Sequence, residues 1–362
     1  APDNMGRVTP ALVEPLICED TRLLSVLHVN NETGVINDIA GLALGLLVAS
    51  LTPLVREFSP RRHQTFIIST VLAGASAGGL IGGLLSAIVI THTGWQSVFL
   101  YAGIITAILG VLIQWLVPES IAFTVKRHPE TGLKKVNQTL AVLGHLPLKA
   151  LPPVSVSESQ ESATALSLLT PARRTTTLLC WSTFFVAFLV VYFITSWMPQ
   201  ILTNAGLSQS RAIQATAAIP FGSLIGTLLI GWLARWWPIN RLIAVAFIVG
   251  ALCTFILSNM ARDINATGFE LIWSILFLIG ISIMGALTNL YNIVLTVYPV
   301  QIRSTGLGWS AGLGRAGGVI SPLLAGVLIG MGVSMPDLFF YFLIPTVMAS
   351  IFVSFISMRE LP

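Results

Sequence analysis

No Asp, Glu, Lys or Arg occurs over residues 64–118, 175–210, 212–234, 242–261, 271–302, 316–336 or 338–358. A bilayer's hydrocarbon core is about 30 Å thick and takes roughly 20 apolar residues per helix. The first window is therefore long enough for two crossings, and each of the others for one. Backbone groups in lipid must bond within their own segment, and these runs lack the two-residue alternation of an outer-membrane barrel. The expected fold is an all-α membrane protein.

The windows predict spans at 39–55, 66–90, 97–117, 176–198, 212–234, 242–261, 271–298, 304–331 and 337–358. That makes about nine transmembrane helices, three before a long loop and six after it. The first is short and glycine-rich and carries Pro53. Composition supports this reading, with 9% charged residues in 362 against about a quarter in soluble domains. A net charge of +4 with no dense basic stripe argues against a nucleic-acid partner. The cysteines at 18, 180 and 253 make neither a disulfide framework nor a metal pair. No signal-peptide pattern opens the chain.

Orientation follows from the basic residues. One set of loops holds Arg56, Arg61, Arg62, Lys126, Arg127, Lys134, Lys135, Lys149, Arg173, Arg174, Arg235, Arg241, Arg303 and Arg359, whereas the alternate loops hold only Arg211 and Arg262. The 118–175 loop and the C-terminus are expected in the cytoplasm. Residues 150–165 are rich in Pro and Ser and read as a linker, and 120–146 has room for a short surface helix. The expected organisation is a fragment at 1–38, a three-helix part at 39–117, the linker at 118–175 and a six-helix half at 176–362.

An offset of 239 residues brings Pro60 onto Pro299, Gly78-Gly79 onto Gly317-Gly318, and Leu84-Leu85 onto Leu323-Leu324. Such matches also arise by chance in Gly/Leu-rich sequence. A true repeat would make the second span equivalent to the eighth, and parallel repeats are a known transporter architecture.

The segment Thr288-Asn-Leu-Tyr-Asn, then Val297-Tyr-Pro-Val-Gln-Ile-Arg-Ser-Thr-Gly-Leu-Gly-Trp-Ser-Ala-Gly-Leu-Gly-Arg-Ala-Gly-Gly, then Ser321-Pro resembles the tenth and eleventh helices of the major facilitator superfamily. More narrowly it resembles the aromatic acid:proton symporters. Arg61-Arg62-His63, the Gly74 to Gly83 stripe, Gly94-Trp-Gln-Ser-Val-Phe, Val117-Pro-Glu-Ser and Tyr192 with Ser196-Trp-Met-Pro extend the likeness over about 41–358. The resemblance implies a partial major facilitator bundle in the bacterial inner membrane, monomeric, with no cofactor and no enzymatic activity. It implies proton-coupled uptake of small aromatic carboxylates. Two departures stand out. Gly231-Trp-Leu-Ala-Arg235 carries Arg where the family's loop motif has an acid, and the family's first three helices, with their Asp-Gly-x-Asp motif, have no counterpart. Gly6-Arg-Val-Thr-Pro and His28-Val-Asn-Asn-Glu-Thr-Gly resemble an internal stretch of cysteine desulfurases, without the lysine that their pyridoxal phosphate needs. On this reading the chain is a chimera with a seam near 38–42, and transport by it is expected to be absent. A non-transporting membrane remnant is the alternative.

Arg315 is a charge inside a span, which is costly and normally faces a cavity. It is a candidate to hold a substrate carboxylate, against the plainer reading of a snorkelling structural arginine. Asn289 and Asn292 share a helix face with Tyr291 beside them, and suit either substrate binding or interhelical bonding. Tyr192 and Trp197 suit aromatic stacking or, for Trp197, interface anchoring. Gly74, Gly78, Gly79, Gly82 and Gly83 are expected to serve close packing or gating, and Arg235 and Arg241 gating. Glu57 reads as part of a cytoplasmic charge network, and His28 and His92 as loop or interface residues. No acid lies well inside a predicted span.

Overall fold

The computed structural model describes residues 51–116, 120–121, 124–125, 132–142, 144, 146–151, 165–262, 267–299 and 302–358. The desulfurase-like stretch and the expected span at 39–55, apart from its last five residues, lie outside them. So does most of the Pro/Ser-rich linker. Residues 51–57 are helical. The longer helices are α1 (Gln64–Thr93), α2 (Trp95–Leu116), α3 (Gly132–Val142), α4 (Arg174–Asn204), α5 (Gln209–Thr216), α6 (Ala218–Leu233), α7 (Ile239–Met260), α8 (Phe269–Ile279), α9 (Gly285–Val297), α10 (Arg303–Gly330) and α11 (Leu338–Ser354).

Among the described residues, seven helical segments are long and apolar enough to cross a membrane: α1, α2, α4, α5 with α6, α7, α8 through α9, and α10. The shorter α11 is apolar over 17 residues. The count of nine expected from sequence is therefore not reached among them. The surface helix expected in the long loop is α3, where Asn137 makes two bonds with the Leu148 backbone, at 2.8 and 3.0 Å.

Two expected spans are interrupted. The 212–234 segment breaks at Ala217 between α5 and α6. Pro220 follows in the first turn of α6 and cannot donate to the carbonyl four residues earlier, so the break falls where the ladder already lacks a rung. The 271–298 segment carries a π-helical turn, Gly280–Met284, joining α8 to α9. The turn is where this span crosses α6 backbone to backbone. A methyl group on Gly226 would run into the Ile281 backbone, and one on Gly280 into the Ile219 carbonyl. Proline within α4 (Pro199), α10 (Pro322) and α11 (Pro345) is accommodated, as membrane helices allow when neighbours re-satisfy freed backbone groups.

The core belongs to the C-terminal part, α4 to α11. Helix α4 lies between α10 and α11, and α7 packs on α11. Phe193 stacks on Phe342 at 3.7 Å between ring centroids, with Phe339 edge-on at 5.8 Å. Side-chain to carbonyl bonds tie α7 to the α11 region: Asn240 to Ile356, Ser350 to Ala244 and Ser258 to Pro336. Cys180 and Cys253 are buried free thiols. The N-terminal part joins this bundle through α1, which packs on α6 and α9, while α2 packs on α1.

Candidate functional site

Phe184, Phe188 and Tyr192 recur every fourth residue on α4 and so form one stripe. Phe184 stacks toward Phe188 at 6.4 Å and Phe188 toward Tyr192 at 6.0 Å. Tyr291 of α9 meets Phe184 edge-on at 5.3 Å and a near-perpendicular 87°, a favoured aromatic geometry. Helix α10 closes on this stripe because it has glycine where the rings press. A Cβ on Gly314 would come within 2.7 Å of Phe188, one on Gly318 within 2.8 Å of Tyr192, and one on Gly317 would strike the Phe185 carbonyl.

Arg315 projects from the same stretch of α10. It lies twelve residues from the helix start, about 18 Å along the axis at 1.5 Å per residue, which is near mid-span. It stands between Gly314 and Gly318, the glycines against which Phe188 and Tyr192 press, and Tyr291 meets the same stripe through Phe184. The guanidinium is half-buried and, among the described residues, has no hydrogen-bond or ion-pair partner. Arg315, Tyr291 and Tyr192 are thus brought together. Trp197 lies off the stripe, toward the far end of α4, and faces Gly326 of α10 at about 4.0 Å from a Cβ placed there.

Asn289 and Asn292 do share a face, and that face is turned to α1 and α6. Asn289 Oδ1 accepts from Ser69 Oγ at 2.7 Å and from Asn292 Nδ2 at 3.2 Å, while its Nδ2 donates to the carbonyls of Gly285 (2.9 Å) and Thr227 (3.2 Å). Asn292 Nδ2 also reaches Ser69 Oγ at 3.1 Å. The Asn289 amide is saturated by protein. Asn292 Oδ1 and the Thr227 hydroxyl are buried without a partner among the described residues. Two further contacts join α1 and its approach to the C-terminal bundle: Ser76 to Ser223 at 3.0 Å, and Arg56 Nη1 to Thr296 Oγ1 at 3.2 Å.

The remaining expected residues sit apart from this centre. Among the described residues, nothing lies within 4 Å of a Cβ built on Gly74, Gly78, Gly79, Gly82 or Gly83. Arg235 rests between Trp232 and Trp236 at the end of α6, and Arg241 is exposed near the start of α7. Glu57 accepts from Ser120 at 2.6 Å. Among the described residues, no three of His, Cys, Asp and Glu come together as a metal site would need. Sequence reasoning missed Phe184, Phe188 and Ser69. The four-residue spacing that leads to Tyr192 would have found the first two. Ser69 lies 220 residues from its partner in an apolar run, and no local pattern marks it.

Comparison with known proteins adds kinship to this geometry. A model of the Major Facilitator Superfamily matches residues 39–322. The gallate transporter of Pseudomonas putida is 32% identical over 315 residues, covering 85% of this chain and 67% of that protein. The 4-hydroxybenzoate transporter PcaK of Acinetobacter baylyi is 28% identical over 355 residues, 96% of this chain and 76% of that one. Among solved structures, the proton:xylose symporter XylE superposes with a TM-score of 0.64, covering 89% of this chain and 71% of that one. At 15% identity that likeness concerns the fold alone. With a family match over most of its length, this chain belongs to the major facilitator superfamily, and it is a membrane transporter similar to carriers of aromatic acids rather than an enzyme.

Proposed function

We propose, in place of the inactivity expected from the sequence, that the chain carries a small aromatic carboxylate, such as a hydroxybenzoate, across the bacterial inner membrane in symport with protons. The observation that carries this reading is Arg315: a half-buried, unpaired guanidinium near mid-span, beside Tyr291 and a stripe of aromatic rings. An unpaired charge there is costly, and a planar carboxylate offers it two parallel charge-assisted bonds. The ring of such a substrate would lie against Phe184, Tyr291 and Tyr192, whose phenols are positioned for its hydroxyl groups. Asn292 Oδ1, buried and unpartnered, supplies a further acceptor, with Asn289 holding that amide in place. Trp197 belongs to the packing of α4 on α10.

The moving parts follow from the organisation at 39–117, 118–175 and 176–362, two unequal parts joined by a cytoplasmic linker. The α1 contacts with α6 and α9 form the surface on which one part would rock against the other. Ser69 with Asn289 and Asn292, and Arg56 with Thr296, would latch it on the cytoplasmic side. Arg241 lies next to that surface. The C-terminus faces the cytoplasm, in line with the basic loops, and the working unit is a monomer. Proton coupling rests on kinship with symporters.

Uptake of labelled 4-hydroxybenzoate into proteoliposomes, with an acid-outside gradient, tests this. Saturable uptake that an uncoupler abolishes is expected, with Arg315→Gln reducing uptake at least tenfold, as loss of a buried charge-assisted pair implies. Undiminished uptake by Arg315→Gln would remove the anion site from the reading. Uptake indifferent to the uncoupler would remove the proton.

A further inference from the structure

The cytoplasmic end of α6 carries a feature that the transport reading leaves unused. Arg235 lies 4.9 Å from the Trp232 ring centre and 4.5 Å from that of Trp236, and its Nε donates to the Trp232 carbonyl at 3.2 Å. The two indoles meet edge-on at 4.6 Å. Three contacts thus fix one exposed guanidinium, and neither Nη nitrogen has a hydrogen-bond partner among the described residues. No acid occurs anywhere in 212–261, so α6, α7 and the loop between them offer no counter-ion.

The surroundings say what lies opposite. Phe221, Ile225, Leu229 and Trp232 are exposed along α6 at helical spacing, while Gly222, Gly226 and Gly231 on the other sides pack against protein. The exposed stripe is a lipid-facing one, and it ends at Trp232. The next residues are Arg235, Trp236 at 60% exposure and Trp237 at 62%. Tryptophan at a span end marks the headgroup layer, and phosphate there is the anion to which an arginine fork is matched. We propose that the Trp232–Arg235–Trp236 clamp is a binding site for the phosphate of an anionic phospholipid in the cytoplasmic leaflet. The indoles hold the guanidinium at headgroup depth, and the acyl chains lie along the Phe221–Leu229 stripe.

Native mass spectrometry of the detergent-purified chain tests this with phosphatidylglycerol and phosphatidylcholine of identical acyl chains. Retention of phosphatidylglycerol over phosphatidylcholine is expected. Arg235→Gln should weaken phosphatidylglycerol retention about fivefold, the effect of one basic residue at an anionic surface. Arg262→Gln at the opposite membrane face should leave it unchanged. Trp236→Leu keeps the charge but loosens its seat, and should fall between. Equal retention of the two lipids by the unsubstituted protein, a measurement that needs no variant, overturns the proposal. So does undiminished retention by Arg235→Gln. Displacement of the lipid by millimolar inorganic phosphate would also overturn it, because the clamp would then be a free-anion site.

Discussion

Helices α1 and α10 carry the same glycine pair at an offset of 239 residues, yet the pairs have opposite surroundings. Gly317 and Gly318 are clasped by α4, with the Phe185 backbone and the Tyr192 ring where side chains would otherwise be. Gly78 and Gly79 meet nothing within 4 Å among the described residues. The apolar window of α4 is 67% buried, while that of α1 is 6% and that of α2 is 0%. Small-residue stripes in membrane helices exist so that backbones can approach. A stripe by itself is therefore an invitation to pack, and the helix that accepts it decides how much energy it holds. In α10 the invitation is taken up, and Arg315 is placed by it. In α1 the packing comes instead from the first half of the helix, through Ser69 and Ser76.

The largest effect should come from filling the clasp. Gly317→Leu puts a branched side chain against the Phe185 carbonyl, and α4 and α10 must part to admit it. Overpacking of this kind costs about 1–3 kcal/mol. Because Arg315 sits two residues away, uptake should fall together with thermal stability in detergent. Gly78→Leu, the matched substitution on α1, should lower neither. If both variants proved equally harmless, the difference in packing between the helices would not be a difference in energy.

Asn289→Ala comes next. It removes the acceptor for Ser69 and Asn292 and two donated bonds to carbonyls, in a buried polar network that joins α1 to the C-terminal bundle. Interhelical bonds in membranes average about 0.6 kcal/mol and reach about 1.7, so a loss of about 1–2 kcal/mol is expected. Ser69→Ala should cost less. A double-mutant cycle on the pair measures the coupling, and strict additivity would show that the two parts are not tied there.

How much of this could be read from the sequence varies with the kind of signal. Helix existence was legible throughout the described region, because excluding charge from lipid marks whole segments at once. The π turn at Gly280–Met284 was not, since it accompanies a backbone crossing with a distant helix; the break at Ala217 was marked only by Pro220, and both leave the charge-free window intact. Arg315 was legible because a single charge in a span stands out. Asn289 and Asn292 were legible as a pair, but their direction was not: the same i, i+3 face serves a cavity or a neighbouring helix. Phenylalanine is so common in membrane helices that Phe184 and Phe188 stand out in the sequence only through their four-residue spacing to Tyr192, and the contact of Phe184 with Tyr291 gives that stripe its meaning. The equivalence of Gly78-Gly79 with Gly317-Gly318 was readable as pattern and silent about occupancy.

A charged tie at the rim of the C-terminal bundle has no counterpart of like kind on α2. Arg262 and Asp337 approach to 2.6 Å at the ends of α7 and α11, in open solvent. Hydrogen bonds from Ser334 and Arg262 hold the Asp337 carboxyl below its ordinary range. With the folded value lowered, any stabilisation is present above the ordinary carboxylate range and disappears as pH falls through the lowered value. Asp337→Asn should shift the unfolding temperature slightly at pH 7, and the difference from the parent should shrink as pH falls below the ordinary carboxylate range. A difference that grew with acid would reverse the sign and exclude this pair as its source. Salt should erase it as well, since exposed pairs are screened.

The smallest expected effect is the sharpest test of the opening contrast. Gly78→Ala adds one methyl group to a face of α1 where nothing lies within 4 Å, so stability should stay within about 0.5 kcal/mol of the parent, as for surface positions without partners. Gly318→Ala, its equivalent on α10, places the same methyl 2.8 Å from the Tyr192 ring, and either the ring or the helix must move. The pair isolates one carbon atom in two settings with the same local sequence. A loss of more than about 1 kcal/mol for Gly78→Ala would mean that another helix closes on α1 as α4 closes on α10. The glycine pairs would then be equivalent in energy as well as in sequence.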